Sequence, residues 1–248
     1  MAGKISAVGS NCYVGTADLS GDIGAITGME LARPALRVTG INAAAEERIS
    51  GRRDGSMGFM AFWNVDTDQS HLTFSAMPRT DVIASVVIGT PAVGSATASM
   101  TAKQVNYASQ VGEDGSLGAQ IDMAGNAYGL EWGELLTSGK QSFATGTVSG
   151  TSIDLGAVST AFGASAYLHV FSVASGTATF TVQDSDDDNT FAAITGLAFT
   201  GATGATTQRL QTAAGVTIRQ YVRVQGTGTH GAAVIALNFV RYTEAGPI

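Results

Sequence analysis

Hydrophobic and polar side chains alternate with a period of two along much of this chain, most clearly from Thr101 to Met123. Successive side chains of a strand point to opposite faces, so Val105, Tyr107, Val111, Leu117, Ala119, Ile121 and Met123 are expected on one face. Gln104, Asn106, Gln120 and Asp122 then fall on the other. Between the two runs, Gly112-Glu113-Asp114-Gly115-Ser116 has the Gly and Asp content of a tight reversal. The pattern predicts a hairpin over 101–123 with one apolar face and one polar, mildly acidic face. It has the character of a wall.

The same reading extends along the chain. Lys4 to Thr16 is expected as a short strand or an extended arm, and Asp18 to Asp22 as a turn. Ala43 to Ile49 is a short helix candidate, and Arg52-Arg53-Asp54-Gly55-Ser56 a turn. Met57 to Asn64 follows as a strand rich in aromatics (Phe59, Phe62 and Trp63). Asp66 to Thr73 is expected as a loop with room for a helical turn. Asp81 to Gly89 is the most apolar strand, and Trp132 to Leu136 follows the hairpin. Beyond Gly139–Gly150 the charges thin out. Strands are expected at Tyr167–Val173, Thr177–Asp184, Phe191–Leu197, Gln208–Thr212, Thr217–Val224 and Ala233–Tyr242. Turns are expected at 186–189 and 226–231. Regularly spaced short strands of this kind predict a β-sandwich of about a hundred residues. A boundary near residue 145 divides the chain into 1–145 and 146–248.

Composition supports a mainly β protein. Of 248 residues, 44% are hydrophobic, only 13% are charged and 32 are glycine, which suits many short strands and turns better than helical bundles. The net charge of −7 argues against duplex binding through phosphate contacts, though not against DNA passing along a repelling surface. Cys12 is the single cysteine, so no intramolecular disulfide or cysteine-based zinc site is expected. No stretch has the pattern of a secretory leader or the roughly 20 apolar residues of a membrane span. A soluble protein made in a reducing compartment is expected.

The candidate chemistry is sparse. Gly226-x-Gly228-x-x-Gly231 matches a dinucleotide pattern, but Ala232–Phe239 continues as a strand where a helix is required, so a hairpin turn is expected. Gly133–Lys140 has five residues between its glycines, with Gln141 where a P-loop places Ser or Thr. Asp184, Asp186 and Asp188 alternate like calcium-loop carboxylates. Asn189 stands in place of the required Gly and Thr195 in place of the closing Glu, so a solvated turn is expected, with a weak calcium site as the alternative. His71, His169 and His230 show no ligand spacing, and His169 reads as structural. No nucleophile elbow occurs and Cys12 has no evident base, so no catalytic residues and no cofactor are expected. Arg52 and Arg53, beside Asp54, read as a solvated turn or a subunit salt bridge. Phe59, Phe62 and Trp63 cannot all point to one face, so at least one is expected to meet another surface.

The succession of a short N-terminal arm, V-T-G-I-N-A-A-A-E-E-R-I-S-G-R-R-D-G-S-M-G-F-M-A-F-W-N (Val38 to Asn64), the strand at Asp81–Gly89 and the long hairpin resembles the tail tube, or major tail, proteins of bacteriophages with long non-contractile tails. The resemblance covers about residues 1–140 and rests on pattern, with no catalytic signature. It implies an N-terminal β-barrel or sandwich of the tail tube type with a short flanking helix, followed by a C-terminal Ig-like or jelly-roll-like β-sandwich. It also implies hexameric rings whose inner strands pair between subunits around a channel. The rings would stack through an arm at about 1–16 and a long loop.

On that reading Gln104, Asn106, Gln120 and Asp122 face the lumen, while Arg52, Arg53, Trp63, Glu113 and Asp114 are candidates for contacts between rings or subunits. The implied partners are further copies of the chain and other tail proteins (tape measure, tail terminator, distal tail). Viral DNA would transit without specific binding, and host surface glycans are a candidate ligand of the C-terminal sandwich. Whether Asp18 to Arg33 folds before assembly is left open. The alternatives are a capsid decoration protein or carbohydrate-binding adhesin of the virion, and a glycan hydrolase, for which no persuasive carboxylate pair is found.

Overall fold

The computed structural model describes residues 6–156 and 159–244; the first five residues of the expected arm lie outside them. The protein is mainly β, with 57% of residues in strands against 3% in helix. The first half contains β1 (Asn11–Val14), β2 (Ala17–Asp18), β3 (Ile23–Ala32), β4 (Ala35–Arg37), β5 (Arg48–Ser50), β6 (Asp54–Phe62), the helix α1 (Ser70–Ser75), β7 (Val82–Val87), β8 (Ala96–Val111) and β9 (Leu117–Leu135). The second half contains β10 (Gln141–Phe143), β11 (Val148–Ser149), β12 (Ile153–Asp154), β13 (Ala164–Val173), β14 (Gly176–Ser185), β15 (Ala192–Ala198), β16 (Thr206–Gln211), β17 (Tyr221–His230) and β18 (Ala233–Arg241).

One large sheet runs in the order β16-β13-β18-β9-β8-β7-β1-β2, with β6 added to the distal part of β9 and β3 added to β6. It crosses from one half of the chain to the other where Asn238 and Phe239 of β18 pair with Leu135 and Glu134 of β9. A second sheet, β11-β17-β14-β15, covers one face of β13 and β18, and β4 and β5 form a separate two-stranded arm. β9 joins everything, because its proximal part pairs with β18 and its distal part with β6.

Two apolar clusters lie along the sheet. Cys12, Leu19, Phe59, Phe74, Met100, Ile121 and Leu130 belong to the first, drawn entirely from residues up to 130. Phe143, Leu168, Phe180, Val224, Ile235 and Phe239 belong to the second, drawn from residue 136 onward. β6 shows why period two suffices here. Gly55, Met57, Phe59 and Ala61 are buried while the residues between them are partly open. β13 is buried on both faces and so reads as a near-continuous apolar run.

Several local expectations are corrected. Ala43–Ile49 is not a helix. β4 and β5 pair Ala35 with Ser50 and Arg37 with Arg48, and the Ala-rich stretch must reverse between them. Thr39 Oγ1 accepts from the Glu47 amide at 2.8 Å, which secures that reversal. The helix instead occupies 70–75, where the Asp22 carboxylate accepts from the Ser70 amide at 2.8 Å. Of the two expectations for Lys4 to Thr16, the short strand is the one formed, at Asn11–Val14, with Cys12, Tyr13 and Val14 buried. Asp18 to Arg33 contains the ten-residue β3. Gly226–Gly231 is not a hairpin turn, since β17 and β18 lie in different sheets. Gly226 is small because a Cβ there would meet Phe143 at 2.9 Å and Phe180 at 3.1 Å.

The other face of the large sheet encloses a polar interior. Register places Tyr13 opposite Ser85, Ser85 opposite Ser99, and Ser99 opposite Glu131. At the far end Arg209, Tyr167 and Asn238 stand side by side. The sheet curls until these sets meet. Glu131, fully buried, accepts from Ser165 Oγ (2.8 Å), Tyr242 OH (2.8 Å), Arg209 Nη2 (3.0 Å) and the Tyr167 hydroxyl. Arg53 reaches the same carboxylate at 3.7 Å and donates to the Leu130 carbonyl at 2.8 Å. A buried carboxylate is tolerable only when paired and hydrogen-bonded in this way.

Beside it runs a chain with one direction. His169 Nδ1 lies 2.8 Å from the Gly15 carbonyl, which can only accept, so Nδ1 carries the proton. Nε2 then accepts from Ser85 Oγ at 2.9 Å, Ser99 donates to Ser85 at 2.9 Å, and Asn238 Nδ2 donates to Ser99 at 3.0 Å. Burial lowers the His169 pKa from 6.5 to about 4, partly opposed by the Gly15 hydrogen bond. The unfolded chain therefore binds the extra proton first as pH falls. Stability from neutral His169 is fully present above pH 6.5 and is lost progressively toward pH 4, by about 3 kcal/mol in all. Urea unfolding at pH 7.0 and 4.5 should show this loss in the native chain and a smaller one in His169→Gln. Equal losses in both would refute the assignment.

Candidate functional site: an open-edged sheet and a projecting arm

The distal half of the β8–β9 hairpin, with β6 and β3, makes a four-stranded sheet in the order β3-β6-β9-β8. β7 covers β8 only over Thr97–Ala102, so among the described residues Lys103 to Val111 pair on one side alone. β3 likewise pairs only with β6. Both outer strands thus present rows of unpaired backbone donors and acceptors, a template for another strand.

The two faces of this sheet differ. One buries Met57, Phe59, Ala119, Ile121 and Met123 against Phe74 of α1. On the other, register aligns Glu30 of β3 with Ser56 of β6, and Gly58 of β6 with Asp122 of β9. Asp122 is paired across to Asn106, whose Nδ2 donates to its carboxylate at 2.8 Å, and Gln120 Nε2 approaches the same oxygens at 3.4 Å. Lys103 is the single base in these strand segments, and Asp81 holds it at 2.7 Å. The open face is therefore amide-rich and weakly acidic.

Gln104 departs from the expected grouping. The register shifts between Gln104 and Asn106, placing Gln104 opposite Met123 on the buried face, where its Nε2 donates to the Phe74 carbonyl at 2.7 Å. Val105, the extra residue of this bulge, is pushed outward and is 56% exposed. A bulge inverts which side chains share a face, and simple alternation cannot register one. Asn106, Gln120 and Asp122 remain together.

Of the candidate contact residues, Arg52, Glu113 and Asp114 are exposed, the last two at the hairpin tip. Arg53 is not available to a neighbouring subunit, being committed to Glu131 and the Leu130 carbonyl. Trp63 stacks on His71 with ring centroids 3.9 Å apart, and His71 Nδ1 lies 2.7 Å from the Tyr107 hydroxyl. The aromatic facing outward is Phe62, 61% exposed. Asp184 and Asp186 both turn to Arg219, at 3.8 and 3.4 Å, while Asp188 accepts from Ser152 at 2.6 Å. Among the described residues no group of three or more His, Cys, Asp or Glu is arranged to hold a metal ion. Alternation along the strand was satisfied by an internal ion pair.

The β4–β5 arm was not foreseen as an apolar surface. Leu36, Val38, Ile41 and Ile49 are all exposed on it, as is Leu31 at the end of β3. A cleft of about 440 Å³ lies between the β3–β6 end and the hairpin tip, lined by Met60, Phe62, Val111 and Leu117. Exposed apolar side chains gathered on projecting elements mark surfaces that another protein covers.

No family model matches the chain, and no curated protein matches it. Solved structures show remote likeness, among them the following three. The tail of an empty GTA particle, refined helically with C6 symmetry, is 12% identical over 48% of this chain and 92% of that one, with a TM-score of 0.37. The SPP1 Dit protein (gp 19.1), from the hub adsorption apparatus of Gram-positive-infecting phages, is 10% identical over 94% of this chain and 99% of that one, with a TM-score of 0.36. A chain of infectious bursal disease virus Gx strain is 10% identical over 98% of this chain and 71% of that one, with a TM-score of 0.28. Likeness this remote carries no argument about what the present chain does.

The bulge makes a direct prediction. Gln104→Arg should destabilise the subunit by about 3 kcal/mol or more, since it forces a charge beneath α1. Gln120→Arg, on the open face, should stay within about 0.5 kcal/mol of the parent. Urea midpoints of the two variants check this, and equal effects would return Gln104 to the open face.

Proposed function

We propose that this chain is a structural, non-catalytic subunit of a bacteriophage tail tube, forming rings by pairing the free edge of β3 in one copy with the free edge of β8 in the next. The observation carrying the reading is the four-stranded sheet open at both edges. Copies that pair edge to edge, head to tail, close into a ring when the rotation from one copy to the next divides the full circle. The amide-rich, acidic face, with Glu30, Asn106, Gln120 and Asp122, would line the channel. Such a lining offers DNA no arginine contacts that release counterions and hold phosphates, so the duplex stays mobile.

Rings would stack through the β4–β5 arm, whose exposed Leu36, Val38, Ile41 and Ile49 have the apolar area that contact needs. We assign residues 1–145 to the tube and 146–248 to an outer domain. The two apolar clusters support two units, with the change-over ahead of residue 145, because Leu136 and Phe143 already pack in the second cluster. Six copies per ring, and the tape measure, terminator and distal tail proteins as neighbours, follow from the resemblance noted in the sequence.

Electron microscopy of the purified chain at rising concentration tests the reading. Rings or tubes with a central channel lined by Asn106, Gln120 and Asp122 are expected. Assemblies that turn those residues outward, or a chain that stays monomeric even when seeded with preformed tube fragments, would overturn it. The double variant Ile41→Asp, Ile49→Asp changes only exposed positions, so its unfolding midpoint should stay within about 0.5 kcal/mol of the parent. Its tubes should be absent while single rings persist.

A further inference from the structure

A second cleft, of about 330 Å³, opens where the two halves of the chain meet on the large sheet. Its walls come from β8 and β9 on one side and β18 with the segment after β12 on the other. Trp132, Glu134, Phe239, Arg241 and Thr243 line it. The volume lies at the lower end of the range of small-ligand sites, and such sites favour the seams between structural units.

Three features of this cleft are unusual for a seam that merely packs. Trp132 is 45% exposed, although an indole is among the costliest side chains to leave in water. Glu134 is half-buried, and burial holds its carboxyl above the usual carboxylate range, with the Arg241 guanidinium opposing. Arg241 is fixed from behind by the Leu155 carbonyl, to which its Nη2 donates at 3.3 Å. An aromatic platform, a desolvated acceptor and an anchored donor therefore converge on one space.

We infer that this cleft binds a neutral pyranose unit of a polysaccharide or glycoconjugate, with Trp132 stacking on the sugar ring while Glu134 accepts from, and Arg241 donates to, its hydroxyls. The choice of class follows from charge and shape. One carboxylate and one guanidinium leave the walls close to neutral, and the chain carries a net charge of −7, so a phosphate or polyanion is disfavoured. A purely apolar ligand would take water from Glu134 and Arg241 and offer neither a hydrogen bond in return. Neighbouring hydroxyls can satisfy an acceptor and a donor at once, and the flat C–H face of a pyranose matches an indole. Gly133 in the same wall needs no ligand to explain it, because a Cβ there would meet the Phe239 carbonyl oxygen at 2.2 Å.

The inference is independent of tube formation and is tested without it. The full chain is titrated with neutral oligosaccharides, both hexose and N-acetylhexosamine series, up to about 10 mM, a range that captures weak single-site affinities. Binding is read by tryptophan fluorescence and by calorimetry. At least one series should bind at one site per chain, with Trp63→Phe unaffected. Trp132→Ala should weaken binding at least about tenfold, the usual cost of removing an aromatic anchor. The isosteric Glu134→Gln keeps the cleft's shape and should also weaken it, which guards against a folding defect in the first variant. Absence of binding by every series, or binding that either variant leaves intact, would overturn the proposal.

Discussion

A carboxylate sealed in the interior needs its partners in place, and Glu131 draws those partners from across the chain. Arg53 comes from the β5–β6 turn, Ser165 and Tyr167 from β13, Arg209 from β16, and Tyr242 from beyond β18. Together these contacts tie strands from both ends of the large sheet to β9, and none can be lost without leaving charge or a hydroxyl stranded in a medium of low dielectric. Arg209 is held in turn by the Tyr128 ring, 3.5 Å below its guanidinium. That contact fixes the short irregular stretch of β9 where pairing with β8 shifts from Leu130 opposite Met100 to Gly125 opposite Ala102. The same cluster therefore curls the base of the sheet and sets where the distal hairpin begins.

That arrangement explains the division of labour along β9. Its proximal part turns Glu131 and Leu135 into the interior and opens toward the seam cleft at Trp132 and Glu134. Its distal part has one buried face and one open face. The distal sheet can be left open at both edges because nothing in the core depends on those edges. Stability resides at the base, and the wall is free to serve as a surface.

The wall was the most legible part in the sequence, because burial of a single face imposes period two and the hairpin shows it from Leu117 to Met123. β6 and β14 were legible for the same reason, while β7 and β18, buried on both faces, were legible as near-continuous apolar runs. β3 was not, since I-G-A-I-T-G-M-E-L-A interleaves glycine and small residues on a strand that is half open along its length. Ala43–Ile49 has helical composition, but pairing between β4 and β5 overrides local propensity, which is worth only tenths of a kcal/mol per residue. Gln104 was misplaced by a single bulged residue. The polar interior was invisible for a different reason. Ser85, Ser99, Glu131, His169 and Asn238 carry no motif, and only the sheet's register brings them together.

The acidic surface and the acidic interior illustrate how little composition says about role. Asp122 and Glu131 sit nine residues apart on one strand, and each gathers amides, hydroxyls or guanidinium groups around it. Asp122 does so on an open face with uncharged partners, Asn106 and Gln120, so its charge is not cancelled. Glu131 does so in a closed space with two arginines, so its charge is cancelled and its contribution is to shape. Between them lies the irregular stretch of β9 at which the strand passes from base to wall. The position of that irregularity, more than the kind of residue, decides which acid becomes surface and which becomes scaffold.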